Sequence, residues 1–215
     1  MQSNKVIGII SYLPDNDSVR TVRISKLREL IFKCNSILNL PIYVVIQNYR
    51  EEDKCLTNLH NVTISENYSK LGITGARRKL REWFLNSKYD YLIMLDDDCK
   101  LYGDRQSGLD YIKQIDEHPN KFYEFNSTLL KLFAISKELF RLEDYEDINA
   151  ESGEGFEDRV FVNKLRKRYP ESQYTFKKSA LREESVSTKD KYSTWYTNQD
   201  IKEMLNNTFN CIEKL

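Results

Sequence analysis

Glycine and proline are scarce in this chain, with 7 and 4 among 215 residues. No Pro/Gly/Ser-rich stretch marks a linker, and neither an internal repeat nor a low-complexity block is present. Four cysteines, Cys34, Cys55, Cys99 and Cys211, occur without a CxxC spacing, which excludes both a disulfide framework and a cysteine zinc site. The two histidines, His60 and His118, stand isolated in polar segments and read as surface residues rather than metal ligands. Charge of one sign is also missing as an excess: 33 Lys+Arg meet 33 Asp+Glu. That balance excludes a bulk binder of nucleic acid or anionic lipid, though not a local basic patch. No apolar run approaches the ~20 residues that span a bilayer. The opening MQSNKVIGIISYLPDN has no long apolar segment followed by a small-residue cleavage site, so a reducing cytoplasm is the expected compartment. Sequons at Asn61, Asn67, Asn126 and Asn206 then read as chance matches in an Asn-rich chain.

What is present is the composition of a globular protein, 40% hydrophobic and 31% charged, at a length that fits one domain. Apolar runs of strand length at Lys5–Tyr12, 42–46, 62–65 and 89–95 alternate with two helical patterns. The first helix is capped by Asp17 or Ser18 and runs to Ile37, with Val22, Ile24, Leu27, Leu30 and Ile31 at helical spacing; the second covers 75–86. Strand–helix alternation predicts βαβ units and a mainly parallel, buried sheet. Beyond residue 100 the order changes. A short helix or turn is expected at 107–117, extended pieces at KFYEF and LLKLFAIS, and a helical turn at 137–142. An acidic loop follows over 143–158, then a helix at 160–169, a strand at 173–178 and a terminal helix at 199–212. The fold class is therefore α/β, with a Rossmann-like first part and a mixed second part.

The chemistry concentrates in a few places. Asp96-Asp97-Asp98 directly follows the apolar run YLIML, and ligands of open α/β sheets bind beyond the carboxyl ends of strands. Adjacent carboxylates repel unless a cation is present, and hard divalent ions combine one or two carboxylates with substrate phosphates. On an extended backbone Asp96 and Asp98 would face one way and Asp97 the other. Glu157 and Asp158 close GEGFED and open a helix, where negative charge is favoured in any case. In KLGITGARRKLR, two glycines precede Arg77 and Arg78. These could reach a diphosphate or form a solvated face, and no Walker pattern is present. Arg20, Arg23 and Lys26 are either a solvated helix stripe or a phosphate-facing edge. Tyr12 and Tyr49 follow the first two strands and could stack on a base.

Local charge is segregated. Eight acids and no base occupy 143–158, and the next 24 residues hold eight bases (Arg159, Lys164, Arg166, Lys167, Arg168, Lys177, Lys178, Arg182) against Glu171 alone. Such a stripe could track phosphates or coat a helix.

The order of these parts resembles the GT-A glycosyltransferases, in particular the family-2-like inverting enzymes and their phage and base-modifying relatives. YDYLIMLDDD resembles their D-x-D strand and GEGFEDRVFVNKLRKR their acidic pair opening a helix. LGITGARRKLREW resembles the Gly/Ala-Arg helix before the D-x-D strand, and LLKLFAISKELF the strand and turn that precede the acidic loop. The resemblance covers residues 5–178. It implies a GT-A fold in one domain over 1–215: a nucleotide half at about 1–100, an acceptor half at about 101–182 and a tail. It implies a nucleotide-diphosphate sugar donor, UDP-linked, and Mn2+ or Mg2+ held by Asp98 with Asp96. Asp158 would be the general base supported by Glu157, and Ser11, Tyr12, Gln47, Arg77, Arg78, Asp96 and Asp97 would contact the donor. The acceptor it implies would be a hydroxyl on a glycan or cell-surface precursor, or on a hydroxymethylated DNA base.

Two departures stand out. Gln47-Asn48-Tyr49 occupies the place where relatives carry a base-reading acid, and no histidine follows residue 118 to complete a metal shell. A nucleotidyltransferase would carry a Gly-rich basic loop after the first strand, which ISYLPDND lacks. A dehalogenase-like phosphatase would need D-x-D-x-T early in the chain. A non-catalytic nucleotide- or glycan-binding relative would be expected to have lost the carboxylates.

Overall fold

The computed structural model describes residues 4–56, 59–124, 132–145, 157–175 and 182–185. Its centre is a seven-stranded sheet. Strand β1 (Lys5–Tyr12) lies beside β2 (Ile42–Gln47) and β4 (Tyr91–Asp96), and β3 (Val62–Asn67) flanks β2, all parallel. Beyond β4 come β7 (Leu132–Ser136), antiparallel to it, then β6 (Phe122–Glu124) and β8 (Gln173–Thr175). The order is β3-β2-β1-β4-β7-β6-β8, and a separate ribbon pairs β5 (Cys99–Tyr102) with β9 (Arg182–Ser185).

Burial on both faces explains why the first strands read as continuous apolar runs. Ile7 and Ile9 of β1 pack in the layer that holds helix α1 (Asp17–Ile37) and helix α3 (Arg105–Glu117). Their neighbours Val6 and Ile10 pack in the opposite layer, with helices α2 (Gly72–Asn86), α4 (Lys137–Leu142) and α5 (Glu157–Arg168). The period of two thus distributes one strand between two cores. At Gly8 a Cβ would meet Leu80 and Leu92 methyls at 2.8 Å, so glycine lets α2 approach the sheet. On the other face Gly108 of α3 lies against the end of α1, where a Cβ would stand 2.0 Å from the Ile37 carbonyl oxygen. Arg105 donates to the same terminus, to the Ile37 and Leu38 carbonyls at 3.1 and 2.6 Å, and so satisfies orphan acceptors that the last turn of α1 cannot.

The shortage of glycine has a structural counterpart. All four non-glycine residues at positive φ among the described residues are asparagines: Asn39, Asn48, Asn61 and Asn120, at φ between 53° and 62°. Asparagine tolerates the left-handed region because its short amide bonds locally. Asn39 ends α1 in this way, its N–H donating to the Cys34 carbonyl at 3.1 Å. Asn67 is buried, and its amide donates to the Ile46 and Ser65 carbonyls, so this sequon residue is a structural amide.

Several boundaries differ from expectation. The cap of α1 is Asn16 rather than Asp17 or Ser18. Its backbone is still extended, and its Oδ1 accepts from the Val19 N–H at 3.1 Å, while Asp17 already lies in the first turn. Helix α5 begins at Glu157, earlier than 160, because the acidic pair is inside the first turn. Strands β5 and β9 were not anticipated: each has four residues, and REES is fully polar, so pairing rather than pattern makes it a strand. The expected helix at 199–212 lies outside the described residues. No described helix is long and apolar enough to cross a membrane.

Candidate active site

Strand order places the site before any residue is considered. Chain order runs outward from β1 to β2 and β3, then returns to β4 on the other side of β1. The carboxyl ends of β1 and β4 therefore border the crevice that such a reversal creates. Ser11 and Tyr12 end one strand and Asp96 ends the other, with Ile10 opposite Asp96 in the register.

The triple aspartate does not continue as a strand. Asp96 is the last residue of β4, Asp97 and Asp98 form a turn, and β5 begins at Cys99. The expected alternation of side chains thus stops at Asp96. Asp97 faces back onto the first βα unit: the Ser11 hydroxyl donates to its Oδ2 at 2.7 Å and Arg23 Nη1 to its Oδ1 at 3.1 Å. Ser11 is buried and Asp97 only 14% exposed, so Ser11 ties the turn to β1 and Arg23 ties it to α1. Asp98 is half-buried in the same turn.

Arg77 joins the motifs. It lies in the second turn of α2 and its side chain is 5% exposed, yet its Nη2 reaches three carboxylate oxygens. It stands 3.2 and 3.4 Å from Asp96 Oδ1 and Oδ2, and 4.0 Å from Asp158 Oδ2 on α5. Its guanidinium also covers the Tyr145 ring, 5.9 Å from the centroid. Tyr145 in turn stacks on Phe161 of α5 at 4.5 Å and donates its hydroxyl to Met94 Sδ of β4. The D-x-D strand, the basic helix and the acidic pair, far apart in sequence, are thus neighbours.

The other predicted residues divide between the crevice and the scaffold. Arg78 donates to the Tyr145 carbonyl through Nε at 3.0 Å and Nη2 at 2.5 Å. Gln47 is buried, and its Oε1 accepts the Leu71 N–H at 2.8 Å, which supplies the cap that Leu71 itself cannot give α2. Tyr12 is half-buried, with Lys70 Nζ 5.7 Å from its ring centroid. Tyr49 is buried rather than offered to a base; burial first, then the Glu66 charge, pushes its phenol up to about 12. Glu157 opens α5 beside Asp158. His118 stacks on Tyr174 at 4.2 Å.

Two constellations escaped the sequence reading. Arg20, assigned there to a solvated stripe or a phosphate edge, is buried and paired with buried Asp53. It also donates to the Leu13, Pro14 and Asn48 carbonyls at 3.2, 3.2 and 2.7 Å. Asn48 and then Arg50 hold Asp15 from the other side, and their hydrogen bonds keep its carboxyl below the usual range. The loop after β1 is therefore pinned. Tyr145 was hidden because it sits alone among acids in EDYED; a single aromatic there was the available signal.

Among the described residues no three His, Cys, Asp or Glu side chains converge on one cation position. The donor set at the turn is nonetheless hard oxygen, from Asp96 and Asp98. Its chemistry fits an ion that takes one or two carboxylates and completes its shell with substrate phosphates and water, not an all-protein cage.

No family model and no curated protein matches the sequence. The fold, however, is shared with solved structures. TarS 1–349 of S. aureus, also solved with UDP-GlcNAc, matches 99% of this chain with a TM-score of 0.62 at 13% identity. The mannosyltransferase PcManGT of Pyrobaculum calidifontis, solved with GDP-Man and Mn2+, matches all of it with a TM-score of 0.66 at 12% identity. The chain spans 72% of the first and 65% of the second. A Bacillus anthracis protein described as a glucose-1-phosphate thymidylyltransferase matches 97% of this chain and 96% of its own, with a TM-score of 0.55 at 10% identity. The chain therefore has a GT-A, nucleotide-diphospho-sugar transferase fold, as its motif order implied.

Proposed function

We propose that this protein is a metal-dependent inverting glycosyltransferase that moves a sugar from a nucleoside-diphosphate donor, UDP-linked, to an acceptor hydroxyl. The observation that carries this reading is the meeting of Asp96 and Asp158 at one guanidinium, beside the crevice between β1 and β4. Asp158 is 23% exposed, so an acceptor can reach it. In the reaction the acceptor oxygen attacks the anomeric carbon while its proton passes to Asp158. The bond from that carbon to the diphosphate oxygen breaks, and the nucleoside diphosphate leaves with the electron pair. One displacement inverts the centre. Asp96 and Asp98 would hold Mn2+ or Mg2+, whose charge offsets that developing on the departing diphosphate. Ser11 and Arg23 fix Asp97 and so the turn that follows Asp96 and carries Asp98.

A glycan hydroxyl is favoured over a DNA base as acceptor. Within the basic stripe Lys164 is buried and Arg168 pairs with Glu143 at 2.7 Å, which removes two of the charges that would follow phosphates. Nucleotidyl transfer is a second reading, because the B. anthracis likeness runs nearly end to end. Against it, the loop after β1 carries Asp15 and no glycine or base, and Arg20, Asn48 and Arg50 hold it.

Calorimetry with UDP and manganese tests the metal site, and binding should vanish in EDTA. Asp158→Asn should bind UDP within about threefold of wild type while transfer falls by roughly 10²- to 10⁴-fold, the usual contribution of a general base. Equal UDP binding with EDTA removes the metal, and turnover within tenfold of wild type removes Asp158 as base. Pyrophosphate release from a nucleoside triphosphate and a sugar 1-phosphate would favour the second reading.

A further inference from the structure

The sequence offered Arg77 as a ligand of the donor diphosphate. We infer that it is instead a positioning residue for the base: it holds Asp158 against the carboxylate end of β4, and so sets the acceptor's proton acceptor relative to the donor site. This rests on the transferase reading above.

Three observations carry it. Arg77 is the buried member of the cluster, 5% exposed against 24% for Asp96 and 23% for Asp158. The guanidinium is therefore the deepest group of the three and the carboxylates the more accessible ones. Next, one nitrogen serves both, at 3.2 Å to Asp96 and 4.0 Å to Asp158. A guanidinium presents several donors in a rigid plane, so it can keep two acids at a fixed mutual orientation where a flexible ammonium cannot. Lastly, Arg77 is coupled to α5 a second time through aromatic rings, its guanidinium over the Tyr145 ring and Tyr145 stacked on Phe161. Asp158 and Phe161 belong to the same helix, so movement of Arg77 would shift the base by charge and by packing together.

Turning Arg77 outward to a diphosphate would take from two half-buried carboxylates the guanidinium they share, a costly arrangement. A residue that stays in place can still govern rate, since a base displaced by about 1 Å can lose 10²-fold in turnover. When Asp158 takes the acceptor proton it loses its charge, while Arg77 keeps its contact with Asp96. The cluster therefore does not have to rearrange during transfer.

The test compares Arg77→Ala with wild type, using UDP with manganese for binding and release of UDP from UDP-GlcNAc or GDP from GDP-mannose for turnover. Positioning predicts an unchanged UDP dissociation constant, within about threefold, and a kcat lowered about 10²-fold. Added guanidinium should restore turnover at least tenfold, and Arg77→Lys should restore charge but little rate. If UDP affinity is lost and turnover of the saturated enzyme survives, Arg77 is a donor ligand and the inference fails while the transferase reading stands. If wild type neither binds these nucleotides nor releases them, the transferase reading fails first. Should Arg77→Ala not fold, Arg77→Gln and Arg77→Lys give the same split between KM and kcat. A parallel loss in both constants, without guanidinium rescue, reduces Arg77 to a structural ion pair.

Discussion

The central strands β1, β2, β4 and β7 and the short outer strands β6 and β8 are held by different means. Strands β1, β2 and β4 are apolar on both faces and almost wholly buried. Burial of about 25 cal/mol per Å² of apolar surface is enough to specify them. Strands β6 and β8 have three residues each, and β8 is mostly exposed. They rely on specific partners: Tyr123 packs on Tyr91 and Tyr174, and His118 stacks on Tyr174. The segment leading to Tyr145 is fastened by α2, since Arg81 and Arg78 donate to the Phe140 and Tyr145 carbonyls. An apolar pattern can thus build the centre of the sheet, while its edge beyond β7 and the segment after α4 need named long-range contacts, one of which, Arg78 to Tyr145, also builds the site.

The comparison can be broken most sharply inside the first half. Arg20→Met leaves buried Asp53 without its cation, and such a broken pair costs about 3–5 kcal/mol. Urea unfolding measures it. A loss below about 1 kcal/mol would mean that apolar burial alone carries this half. At the seam between halves, Gly108→Ala forces α3 away from the Ile37 carbonyl, an overpacking worth about 2–3 kcal/mol that should appear as a lower Tm. An unchanged Tm would show that α3 is free to shift. The smallest effect is expected from Arg81→Met, which removes the donors to Phe140 and Arg141 for about 1 kcal/mol. Hydrogen exchange should then quicken in α4 and not in β1 or β4; uniform quickening would mean that the halves are one cooperative unit.

Much of the fold was legible. Lys5–Tyr12 is the strand that was read, α1 ends at Ile37, and β7 and α4 lie within the expected pieces. The errors lie where pattern carries no information. A four-residue polar strand such as β9 exists only because β5 offers an edge. The cap of α1 depended on whether Asn16 or Asp17 kept an extended backbone. Within the candidate site, the positions of Asp96–Asp98 and Glu157–Asp158 were visible because each follows or opens an element. The roles of Arg20, Gln47 and Arg78 were not. Arg20 reads like any helix-face base until Asp53 is placed beside it, and Gln47 like a free amide until Leu71 uses its oxygen.

The absence of net charge, and the shortage of glycine, end as a division of causes. By itself the sequence determined which stretches would be buried, that acids would stand at the end of β4, and that asparagine was plentiful where glycine was not. These are local properties, set by hydrophobic period and by backbone dihedral preference. Only the tertiary structure decided which of the equally numerous acids and bases would meet. Asp97 went to Ser11 and Arg23, while Asp96 and Asp158 came to share Arg77. Coulomb attraction does not depend on separation along the chain, so pairing follows from where strand order and helix packing bring the side chains, and a count of charges cannot contain it.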